Sequence, residues 1–154
     1  MNDTKDRFSI DIVLRHPSYS PERISEALSM KPQGSHDVGE KHGGSTAQWT
    51  FFFASLQKGD GHSEYETALN SVAQFLEKHA AFWNDFTAGR GELELILNHT
   101  FLEGAEAGDL CLKLSLEPRF LAQLSKRGFG LRIQAWKGQL NTRNLSVPPR
   151  QGVG

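Results

Sequence analysis

Cysteine occurs once in the 154 residues, at Cys111, which excludes an intrachain disulfide and any cysteine-based zinc cluster and suits a reducing compartment. Net charge is nearly absent as well. Seventeen basic residues face 18 acidic ones, for a balance of -1, so no global field draws in a polyanion, and DNA is not an expected partner. No apolar run approaches the roughly 20 residues that a membrane span needs, so no membrane partner is expected. Met1 to Arg7 is polar and lacks the apolar core of a secretory signal, which makes a cytoplasmic location the expectation. The sequence also contains no G-x-S-x-G elbow, Walker loop, H-E-x-x-H or dinucleotide fingerprint. Gly59, Gly61, Gly89, Gly91, Gly128 and Gly130 read as turn glycines without the strand-to-helix setting those motifs require.

What is present is a globular mixture, 38% apolar and 23% charged, in a chain of single-domain length. Phe8, Ile10, Ile12 and Leu14 alternate with Ser9, Asp11, Val13 and Arg15, the period of a strand with one buried face. Ser20 before Pro21 reads as the cap of a short helix with Ile24, Ala27 and Leu28 inward. From Met30 to Ala47, Pro32, Gly34, Gly39, Gly43 and Gly44 interrupt any periodicity, which predicts a long structureless loop. Trp49, Phe51 and Phe53 alternate with Thr50, Phe52 and Ala54 in a second strand that is apolar on both sides. Lys58 to Gly61 reads as a turn, and Ser63 with Glu66 as a capping box. It opens a long helix whose stripe is Tyr65, Leu69, Val72, Leu76, Ala80 and Trp83, with a break at His79.

Leu93, Leu95 and Leu97, and then Leu110, Leu112, Leu114 and Leu116, mark a third and a fourth strand, expected to form a hairpin. Pro118 opens a helix with Phe120, Leu121 and Leu124 inward, capped by Gly128, and Phe129, Leu131, Ile133 and Ala135 mark a fifth strand. The expected architecture is therefore α+β, a mainly antiparallel five-stranded sheet with helices packed on one face, in the order β-α-β-α-β-β-α-β. Its last six elements read as a ferredoxin-like core preceded by an extra N-terminal strand and helix. Residues 1–7 form a lead, 8–136 the domain and 137–154 a Gly-, Pro- and Arg-rich C-terminal tail.

Leu28-Ser29-Met30-Lys31-Pro32, Gly39-Glu40, Trp49, the long helix, and Gly128-Phe129-Gly130-Leu131 leading to Trp136 resemble the bacterial domain-of-unknown-function family 4279. The resemblance spans Phe8 to Trp136. Ser29 and Met30 stand where a Gly-Leu is commoner, and Trp136 where the last strand ends in an aromatic, usually Tyr. It implies a bacterial α+β domain with no established activity, some members sitting beside toxin genes as immunity-like proteins. It makes Pro32, Gly39, Glu40 and Trp49 pattern positions and brings no catalytic residue or cofactor.

On the sheet face away from the helices the pattern places Asp11, Phe52, Glu94, Ile96, Cys111, Lys113, Arg132, Gln134 and Trp136. Aromatic anchors flanked by charges are the composition of an interface centre, so the leading expectation is a protein partner or self-association through Asp11, Phe52, Glu94, Lys113, Arg132, Gln134 and Trp136. The alternative is a small ligand or metal held by the 30–47 loop, where His36 and His42 are the weak metal candidates beside Asp37 and Glu40. RNA stacking on Phe52 and Trp136 is a third, without RNP motifs or a basic stripe to support it. A Cys111 nucleophile finds no histidine at usable spacing, and Asp11 with Glu92 or Glu94 forms a carboxylate pair only if their strands are neighbours.

Overall fold

The computed structural model describes residues 7–101 and 116–137. Its elements run β1 (Arg7–His16), α1 (Pro21–Leu28), β2 (Gly34–His36), β3 (Lys41–His42), β4 (Ser45–Thr46), β5 (Thr50–Asp60), α2 (Gly61–Lys78), α3 (Ala80–Ala88), β6 (Glu92–Phe101), α4 (Pro118–Arg127) and β7 (Phe129–Lys137). Five strands form one sheet in the order β2-β5-β1-β6-β7, and β3 pairs with β4 in a separate ribbon. Three of the four pairings in the large sheet are antiparallel, and β6–β7 is parallel.

The alternation in β1 does what its period dictates. Phe8, Ile10, Ile12 and Leu14 enter a single core with Ile24 and Leu28 of α1, Tyr65, Leu69, Val72 and Leu76 of α2, Trp83 and Phe86 of α3, and Phe120 and Leu124 of α4. All four helices therefore cover one sheet face. Trp83, the largest of the fully buried side chains, donates its indole N–H to the Leu76 carbonyl at 2.9 Å across the break at His79. That bond satisfies the polar end of a ring whose burial drives the two helices together.

Several sequence expectations change. β2, β3 and β4 organise the 30–47 segment, since backbone pairing to β5 and within a tight ribbon needs no apolar pattern. β5 continues through Asp60 straight into α2, so the N-cap is Asp60, and the reach-back carboxylate is Glu64, which accepts from the Asp60 amide at 3.0 Å. The expected hairpin from the third strand is not formed. Both edges of β6 are taken, by β1 and β7, while the 110–115 portion of the leucine-alternating segment lies outside the described residues. The split βαββαβ ordering fails with it, because β1 sits in the sheet centre between β5 and β6 instead of being an addition to a core. Leu121 is exposed on α4, and Leu131 and Ile133 are exposed on β7, the last strand of the described sheet.

Two conformational details hold the helix ends. Gly128 closes α4 at φ 82°, the left-handed region glycine enters without strain. Gly91 passes so close to Phe86 that a Cβ there would lie 2.3 Å from the ring. At the end of β1, buried His16 accepts from the amides of Ser18 and Tyr19 through Nδ1, at 3.0 and 3.1 Å, and stacks on Tyr19 at 4.0 Å. Burial first and the Arg23 guanidinium second hold this imidazole below its ordinary pKa, and the nearby Phe86 backbone offsets only part of that. His79, half-buried and beside Lys78, is lowered for the same kind of reason.

For a histidine with a lowered native pKa, the unfolded chain takes up the proton first. The contribution to stability is complete above the unfolded value of 6.5 and is lost as pH falls through it toward the native value. Urea unfolding measured from about pH 8 down to about pH 5 should therefore show falling stability below about pH 6.5. His16→Asn, which keeps an acceptor for the turn, should flatten part of that slope.

Candidate functional site

The sheet face opposite the helices is organised in cross-strand rows fixed by the register. At one end, His36 (β2), Phe51 (β5), Arg15 (β1) and Glu92 (β6) stand side by side. Next come Phe53, Val13, Glu94 and Gly130, then Ser55, Asp11, Ile96 and Arg132, then Lys58, Ser9, Asn98 and Gln134. The far row is Asp60, Arg7, Thr100 and Trp136.

The centre of this face is a closed polar network. Asp11 is only 3% exposed, and its carboxylate accepts from Ser55 Oγ at 2.6 Å, Asn98 Nδ2 at 2.6 Å and Ser9 Oγ at 3.1 Å. One carboxylate thereby ties β1 to both of its neighbours. Asn98 passes the order outward, its Oδ1 accepting from the Trp136 indole N–H at 3.3 Å. Trp136 remains 56% exposed. Two rows back along the same strand, Arg132 makes a two-toothed contact with Glu94, at 3.0 and 3.1 Å.

Of the residues expected here, Glu94, Arg132, Gln134 and Trp136 share the face as anticipated. Asp11 shares it too, but buried, so it supports the surface and does not touch a partner. Phe52 does not belong to it. It lies directly opposite Leu14 and is fully buried (0% exposed) under the helices, because the pleat of β5 turns Thr50, Phe52 and Ala54 inward and leaves Phe51 and Phe53 on the open side. The RNA reading loses with it one of its two stacking aromatics. Lys113 and Cys111 lie outside the described residues. β1 and β6 are neighbours, yet no carboxylate dyad forms: Asp11 is occupied by hydroxyl and amide donors, and Glu94 by Arg132.

The loop positions have structural work. Gly39, at φ 93°, and Glu40 are stitched to Ala47 by backbone bonds of 2.9 and 2.8 Å, which brings Trp49 to the sheet end. Glu40 also accepts from the Asp37 amide at 2.7 Å, and the Thr50 hydroxyl donates to Asp37 at 3.1 Å. Pro32 is half-buried just ahead of the Gln33 amide, which donates to the Phe53 carbonyl. His36 and His42 approach to 5.3 Å between ring centroids, and His42 lies 3.4 Å from Glu40, but the described residues contain no group of three metal-ligating side chains.

Sequence reasoning missed Arg15 and Phe51 and weighed Glu92 only as a carboxylate partner for Asp11. Together with His36, Gln48, Trp49 and Thr50 they line a cavity of about 350 Å³ at the end of the sheet. A larger groove of about 710 Å³ runs between α2 and α4, where Glu77 is already engaged by Arg127 and Gln123. The alternation of Arg15 with Leu14 was the available signal for an outward charge; its coincidence with Phe51 and Glu92 depended on a register no sequence pattern carries.

Asp11→Ala should leave the Ser55, Asn98 and Ser9 donors without their acceptor, costing about 1–3 kcal/mol in chemical denaturation. The fluorescence of Trp136, freed from an ordered Asn98, should become more mobile in anisotropy decay. Comparison of the chain with protein-family models, with curated proteins and with solved structures found no match.

Proposed function

We propose that this domain is a non-catalytic protein-interaction module whose contact surface is the open sheet face along β6 and β7, anchored on Trp136. The observation that carries the reading is an indole more than half exposed and yet fixed in place, through Asn98, by a buried carboxylate. Pre-ordering an exposed aromatic removes part of the entropy cost of binding, and tryptophan and arginine are among the residue types enriched where interface energetics concentrate. The Arg132–Glu94 fork supplies a polar rim of fixed geometry two rows from the anchor on the same face. On the other face of the same strand Leu131 and Ile133 are exposed as well, so β7 presents apolar surface on both sides.

The resemblance to the bacterial domain-of-unknown-function family 4279 adds the setting of this proposal: a cytoplasmic bacterial protein, immunity-like, whose partner is another protein. Self-association through the same face is the simplest form of that partnership.

Trp136→Ala and Arg132→Glu test the reading together. Sedimentation velocity and affinity capture with the full chain should show self-association or a retained protein partner that each variant weakens, by about tenfold or more for Trp136→Ala. Glu22→Lys, on exposed α1, should bind as the wild type does. Equal binding by all four proteins would overturn the proposal.

A further inference from the structure

We propose that the cavity at the opposite end of the open face is a binding site for a free aromatic α-amino acid, its carboxylate held by Arg15, its ammonium by Glu92 and its ring against Phe51 and Trp49. The inference is independent of the protein-contact reading, because it rests on the first row of the face and not on Trp136.

Arg15 and Glu92 stand directly opposite one another on antiparallel neighbours, the position in which opposite charges ordinarily pair. They do not pair. Among the described residues neither has an ionic partner, although one row further on Glu94 and Arg132 reach diagonally across two strands to form a fork. The Arg15 guanidinium instead leans over the Phe51 ring, 5.8 Å from its centroid. Two charges of opposite sign without an ionic partner thus border one depression from facing positions in the row, the arrangement that a carboxylate and an ammonium on a single carbon would bridge.

The rest of the lining selects the side chain. Phe51 is half-buried, and His36 stacks on it at 5.6 Å with the planes only 19° apart; Trp49 completes an aromatic wall. Such a wall takes a flat apolar group. The depression, of about 350 Å³ and open to solvent on one side, has room for a single amino acid.

Saturation-transfer NMR and calorimetry on the full chain with tyrosine, phenylalanine, glycine, phenethylamine and 3-phenylpropionate read the two charges and the ring separately. Tyrosine and phenylalanine should both bind. Glycine and both single-charge analogues should bind at least about tenfold more weakly than phenylalanine, the loss expected for one charge-assisted hydrogen bond or one ring contact. Arg15→Gln and Glu92→Gln, at half-buried and exposed positions, should each lose about tenfold with unfolding curves unchanged, and Trp136→Ala should bind as the wild type does. Absence of binding by both aromatic amino acids, equal binding by a single-charge analogue, or undiminished affinity in Arg15→Gln and Glu92→Gln would each overturn the proposal.

Discussion

Everything on both faces of this domain depends on β1 being hydrogen-bonded along both edges. Nine or more of its residues pair with β5 on one side and with β6 on the other, so a single pleat fixes the orientation of three strands at once. Its inward set is apolar without exception from Phe8 to Leu14, and that set decides which side the four helices must cover. Asp11 makes the arrangement specific. A carboxylate placed in the middle of the outward set, with hydrogen bonds to Ser55 of β5 and Asn98 of β6, is satisfied only in this register; a slip of one residue on either side would bury it without donors.

The local irregularity beside it serves the same end. The register of β1 against β5 shifts between Ile10 and Asp11, so that one extra β5 residue is taken up there. A bulge at this point lets Ser55 face Asp11 while Leu56, one residue later, still packs against the core. The buried charge and the bulge are thus one feature. Each would be a defect without the other.

What could be read from the sequence follows from where a pattern has only one interpretation. The alternation in β1 and the three- and four-residue stripe of α2, with its break at His79, each admit one reading, and the structure agrees. The run Trp49 to Ala54 carries apolar residues in both phases, broken only by Thr50, so periodicity could not choose which phase faces the helices; the partner strand did, by setting Phe52 opposite Leu14. The proximity of two leucine-alternating segments suggested a hairpin because local pairing closes the smallest loop. Yet α4 carries the chain to a parallel β7, a long-range contact that no local signal encodes. The open face was therefore half legible: Glu94, Arg132, Gln134 and Trp136 were found through their own strands, whereas Arg15, Phe51 and Glu92 become a group only once three registers are known.

The same registers explain why reactive surface collects at the two ends of the open face and not at its middle. Interior rows have neighbours before and after them, so Asp11 finds three donors and Glu94 finds Arg132 on the diagonal. β7 begins its pairing with Phe129 opposite Leu93, one residue past Glu92, which leaves Glu92 no β7 side chain beside it, while Arg15 is drawn toward the aromatic ring on its other flank. At the other end, Trp136 falls in the last row, where β1 contributes only Arg7, itself directed to Asp60, and the indole must turn back to Asn98 for its hydrogen bond. Side chains at the limits of the pairing keep unspent hydrogen-bonding, charge or apolar surface because the lattice that would consume it has run out. A sheet built around β1, paired along both edges, places such residues at both ends of a single face.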